Sequence, residues 1–158
     1  MRRLVIVAVA AVLSAGLLAV PASGSQAQFA SVRQATASFH SVANAEAAGY
    51  EQFLPCFDLP GVGGMGQHFA DMQSIDGTVE ADHPEVLVYE PAASGYRLVA
   101  VEYVVPQAKW TSTAAPELFG EDFHKNDTLG IWALHAWIWR PNPGGMHADF
   151  NPAVSDCP

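Results

Sequence analysis

Apolar and polar positions along this chain follow two periods. From Phe29 to Tyr50, the residues Phe29, Val32, Thr36, Phe39, Ala43, Ala47 and Tyr50 recur at three- and four-residue steps, which predicts an amphipathic helix. Alanine is abundant there, proline is absent, and Gly49 suits the stop. Downstream the period becomes two. Glu85–Glu90 and Tyr96–Val105 read as antiparallel strands joined by a loop over Pro91–Gly95. Gly130–Trp139 reads as a third strand. Ile131, Ala133, His135, Trp137 and Trp139 point one way, and Trp132, Leu134, Ala136 and Ile138 the other. Both faces are apolar, so the pattern places this strand inside a sheet rather than at its edge.

Between these elements the signals are of turns. Leu54–Gly66 carries Pro55, Pro60 and four glycines and reads as an irregular connection that delivers the chain into a short extended piece, Gln67-His68-Phe69. No Lys-Ser/Thr follows the glycines, so this is not a phosphate loop. Ser74–Pro84 is polar. Its acids, with Asp71, lack the alternating spacing of a calcium loop and read as a solvated face. Glu117–His124 is short, with Leu118, Phe119 and Phe123 as packing residues, and Pro141–Gly145 forces a turn before Met146–Phe150 runs back. The predicted fold is α+β: an N-terminal amphipathic helix on a bent antiparallel sheet or small open barrel.

Composition adds a compartment. Met1-Arg2-Arg3, an apolar run from Leu4 to Val20 and small residues up to Gln28 form the three-part layout of a secretory signal peptide. Cleavage after Ala27 divides the chain into a signal peptide (1–27) and one exported domain (28–158). The expected location is extracellular or periplasmic, with no stable membrane anchor after cleavage. Removing Arg2 and Arg3 takes the formal charge from −9 to −11. That acidity excludes nucleic acid as a partner, because nucleic-acid binding needs a basic footprint. The two cysteines, Cys56 and Cys157, read as one disulfide in such a compartment.

Two positions break the apolar pattern. His135 lies mid-strand, and a buried imidazole needs a partner. Glu102 lies among aliphatic residues, with Leu98, Ala100 and Val104 on its predicted face. It needs a cation or a set of donors, and an Arg140 pair, a histidine or a histidine-held metal all answer that need. Glu90 is expected to pair across the hairpin with Arg97. His68, His124, His135 and His147 belong to the ordered body. Histidines plus a carboxylate drawn from different strands suit a divalent transition ion such as Zn, Cu, Ni, Fe or Mn. The expected ligands are His68, Glu102 and His135, with His124 as a fourth ligand or an acid/base group. No HxH or HExxH spacing occurs, and Gly-x-Ser-x-Gly is absent, so nucleophilic serine chemistry is disfavoured. The alternative is a small-molecule-binding or interaction domain with structural histidines and a pocket walled by Trp137 and Trp139.

Six stretches carry a resemblance: Ala35–Tyr50, Leu59–Phe69 (LPGVGGMGQHF), Asp76–Pro91, Leu98–Pro106 (LVAVEYVVP), Leu118–His124 (LFGEDFH) and Leu134–Met146 (LHAWIWRPNPGGM). In these the chain resembles a family of exported bacterial proteins with no assigned activity. The resemblance implies a single exported domain and a family pattern of histidine at positions 68, 124 and 135 and glutamate at 102. It also implies an aromatic residue where this chain has His147, which argues against His147 as a ligand.

Overall fold

A computed structural model describes residues 24–158; the expected signal peptide falls mainly on residues 1–23, outside the described residues. Helix α1 spans Gly24–Thr36, a 3-10 turn follows at Ala37–His40, and α2 spans Val42–Ala47. The single predicted helix is thus broken. The tighter 3-10 winding shifts the helical phase, so Ala45 is buried while Ala43 and Ala47 are exposed. Phe29, Val32 and Thr36 keep the predicted inward face. Arg33 Nε donates to Ile138 O at 3.0 Å, and Trp139 Nε1 donates to Thr36 Oγ1 at 3.3 Å, which fastens α1 to the sheet.

Eight strands follow: β1 (Glu51–Leu59), β2 (Gly63–Ala70), β3 (Val86–Ala92), β4 (Gly95–Pro106), β5 (Glu117–Leu118), β6 (Glu121–Asp122), β7 (His124–Asn126) and β8 (Ile131–Ala136). Six form one antiparallel sheet in the order β1-β2-β3-β4-β8-β7, strongly curled into a half-barrel, while β5 and β6 pair separately. The glycine-rich stretch expected to be irregular is the β1–β2 hairpin. Its glycines serve close approach: a Cβ on Gly66 (φ +88°) would lie 2.5 Å from Tyr89 O. The hairpin after β3 is tighter than expected, with Ala92 paired to Gly95.

One face of the sheet packs on the helices through Leu87, Tyr89, Leu98, Val101, Tyr103 and Leu134. The other carries Ala70, Val86, Val88, Val99, Val104 and Trp137. Strict alternation would put Leu98 with Glu102. Instead the β3–β4 register slips between Val88/Ala100 and Tyr89/Leu98. Val99 is the extra residue, and the bulge sends Leu98 to the helix side. A second irregularity ends β8 three residues before the expected limit. Ile138 N bonds Ala136 O, and both Trp139 N and Arg140 N bond Val99 O. Trp137 and Trp139 therefore do not share a face: Trp137 is buried on the side of His135, and Trp139 packs on the helix side.

Cys56 and Cys157 are disulfide-bonded across 101 positions. The C-terminal segment lies along the sheet, with Gly64 bridged to Asn151 and Val154 buried. The expected Glu90–Arg97 pair forms at 2.9 Å, and Glu90 also accepts from Ser155 N at 3.1 Å. No helix among the described residues is long and apolar enough to cross a membrane.

Candidate metal centre

Register sets the site. Glu102 on β4 lies directly opposite His135 on β8, and Val86 on β3 lies opposite Glu102 on its other side. Cross-strand partners share a face, so both functional side chains leave the sheet on the side away from the helices. His68 is two strands from Glu102, paired with Val88. In a flat sheet two strands in that relation stand about 9–10 Å apart. The two long side chains reach across that gap: His68 Nε2 is 3.4 Å from Glu102 Oε2, and His135 Nε2 is 3.7 Å from Glu102 Oε1. The two imidazole rings lie 6.0 Å apart. One donor atom from each residue lies within 4.8 Å of the other two, and all three residues are buried.

These separations are too long for charge-assisted hydrogen bonds, which run at about 2.7–2.9 Å. The shorter equals the spacing of atoms bound to one ion, and the longer exceeds it by about 0.3 Å. Ligands at about 2.0–2.1 Å from a tetrahedral ion stand about 3.3–3.4 Å from each other. The hydrogen bonding points the same way. Among the described residues, the buried side-chain nitrogens and oxygens without a hydrogen-bond partner are both ring nitrogens of His135. Each such atom costs about 1–3 kcal/mol if nothing satisfies it.

Burial sets the protonation states. It lowers the His135 pKa to about 4, opposed by the Asp149 carboxylate and reinforced by His124 and His147. It also lowers His68, against the pull of Glu102. Burial raises Glu102, opposed by His68 and reinforced by Asp149. Neutral imidazoles present free lone pairs, which is the form a metal requires. A divalent cation would reverse the preference of Glu102 and hold it as a carboxylate.

The site opens into a hollow of about 910 Å³. His124 is on its rim, not among the converging donors. Its register partner is Ala133, two residues short of His135. The ring is exposed, and its Nδ1 lies 3.0 Å from Asp149 Oδ1. The structure thus brings together three of the four expected ligands and leaves His124 outside the group. His147 also stays out, with Nδ1 donating to His135 O at 2.6 Å. Arg140 takes no part: its Nε donates to Ala153 O, and its nearest carboxylate is Glu90 at 3.8 Å. Trp137 and Trp139 do not line the hollow. Trp137 is buried and donates to Ala148 O at 2.6 Å.

Asp149 escaped the sequence reading. Its Oδ1 lies 3.8 Å from His135 Nδ1, beyond hydrogen-bond reach, and is bonded instead to His124 Nδ1 at 3.0 Å; its charge bears on His135 only through space. Residues 146–150 have no clear period, so nothing in their pattern marked it. Comparison of the chain with models of known protein families, with curated proteins and with solved structures found no match.

Proposed function

We propose that this protein binds one divalent transition-metal ion through His68, Glu102 and His135. The observation that carries the reading is His135: a buried imidazole with no hydrogen bond, aimed at a buried carboxylate and a second imidazole. Two imidazoles and one carboxylate are a donor set that Zn, Cu, Ni, Fe and Mn accept. The three ligands line one end of the hollow, so an ion there keeps coordination positions that a solvent or ligand atom can reach. Closed structural sites use four protein ligands; three ligands and an open side suit an ion that takes part in binding or chemistry. The disulfide agrees with an oxidising compartment, in which the domain acts as an exported metal-binding protein.

Calorimetric titration of metal-free protein with Zn²⁺ tests the reading. One binding event with a stoichiometry near one is expected, weakened at least about 100-fold in Glu102→Gln, which removes the one charged ligand. Equal affinity in wild type and Glu102→Gln would remove the site from this cluster.

A further inference from the structure

Seven large apolar residues are exposed among the described residues, and five of them (Phe53, Leu54, Phe57, Met72 and Leu129) border the same hollow above the cluster. That concentration needs a reason, because exposed apolar side chains are ordinarily scattered singly. Three come from β1, an edge strand, where such residues invite unwanted pairing. The fold holds them there deliberately. β1 is bulged between Phe53 and Phe57, and Leu54 takes a positive φ of 58°, a conformation unfavourable for a side chain of its size. The buried Gln67 amide fixes the bulge by donating to Leu54 O at 2.8 Å and His68 O at 3.1 Å, and Gln52 Nε2 donates to its oxygen at 3.0 Å. Cys56, the last residue of the bulge, is tied to Cys157.

We infer that this hollow is the binding site of a small amphiphile, with an apolar body against Phe53, Phe57, Met72 and Leu129 and a single anionic oxygen head at His68, Glu102 and His135. The volume of about 910 Å³ lies in the range of small-molecule sites. Walls apolar and floor polar is the arrangement such sites use to take up area and fix orientation. The charge of the head follows from the floor. Two neutral imidazoles and one carboxylate around a divalent ion leave one positive charge, which one anionic head neutralises. The head's contact rests on the metal reading; the body's contact does not.

The test uses the full chain loaded with Zn²⁺ and two probes with the same head, acetohydroxamate and octanohydroxamate, followed by calorimetry. A fully buried methylene is worth about fourfold in affinity. Half-burial of the six extra methylenes gives an advantage of about 50-fold for octanohydroxamate. Leu129→Asp and Met72→Asp change exposed positions, so their circular dichroism should be native. They should cut that advantage to below about fivefold and leave acetohydroxamate unchanged. Equal affinity of the two probes in wild type overturns the amphiphile site while acetohydroxamate binding upholds the metal. If the protein takes up no ion, the neutral fluorophore N-phenyl-1-naphthylamine decides the matter. Binding that Leu129→Asp abolishes sustains the apolar site, and no binding overturns it. A stable dimer in sedimentation that Leu129→Asp dissociates would also overturn it, by making the mouth a contact between two copies.

Discussion

Replacing Glu85 by glutamine should make the fold more stable as pH rises. Glu85 is 3% exposed, and its Oε2 accepts the backbone N–H of Val104 at 3.0 Å. It therefore ties the start of β3 to β4 two residues beyond Glu102. Burial raises its pKa from 4.5 to about 7; the Val104 hydrogen bond opposes the shift, and Asp76 and Glu80 add to it. A carboxyl group with a raised folded-state pKa is no burden below its unfolded value. It destabilises the fold progressively as pH climbs through that window. With 1.36 kcal/mol per pKa unit, the penalty is about 1 kcal/mol at pH 5 and about 3 kcal/mol at pH 8. Glutamine keeps an acceptor oxygen for Val104 and has no charge to bury. Urea unfolding of wild type and Glu85→Gln between pH 5 and 8 reads the difference directly, because every other titration is common to both proteins. The variant's relative stability should grow by about 2 kcal/mol over that range. A difference that stays flat, or that favours wild type at pH 8, would refute the argument that burial dominates at Glu85.

Three further outcomes follow from the packing. Denatured, unreduced protein should show no free thiol, and the Cys56→Ser/Cys157→Ser double variant should lose up to about 4–5 kcal/mol in urea unfolding, given the 101-residue separation. Glu90→Ala should cost about 2–3 kcal/mol because the carboxylate is fully buried with several donors, whereas Arg97→Ala, whose side chain is 59% exposed, should cost about 1 kcal/mol or less; equal losses would contradict that asymmetry. Gly66→Ala should lower stability by at least about 2 kcal/mol in the same assay, since the new methyl meets the Tyr89 carbonyl and φ is positive.

Legibility in the sequence tracked local physics. The period-two pattern around Glu102 and His135 was enough to place both inside a sheet, because a polar residue in a two-faced apolar strand stands out without any tertiary knowledge. His68 was legible as a candidate, but its meeting with Glu102 depends on the strand order β2-β3-β4 and its register, which no local pattern encodes. The bulge at Val99 and the kink after Ala136 each shift alternation by one, so they misplaced Leu98 and Trp139. With Trp139 went the expected aromatic pocket. The hollow is walled in part by β1, whose strand character was hidden by Pro55 within it and by the Pro60/glycine-rich stretch directly after it. Asp149 and His124 show the same limit. Their hydrogen bond joins residues 25 apart, and only the three-dimensional path brings Asp149 near His135.

The central claim is that His68, Glu102 and His135 hold one metal ion. The measurement that meets it most directly is elemental analysis of untagged protein, purified without chelator, loaded with Zn²⁺ and desalted, beside His135→Ala and His83→Ala. His83 is exposed and, among the described residues, pairs with Glu80, so it controls for adventitious surface binding. One equivalent of zinc in wild type and in His83→Ala, falling to near zero in His135→Ala, is the predicted result. Zinc absent from wild type, or retained in full by His135→Ala, would contradict it.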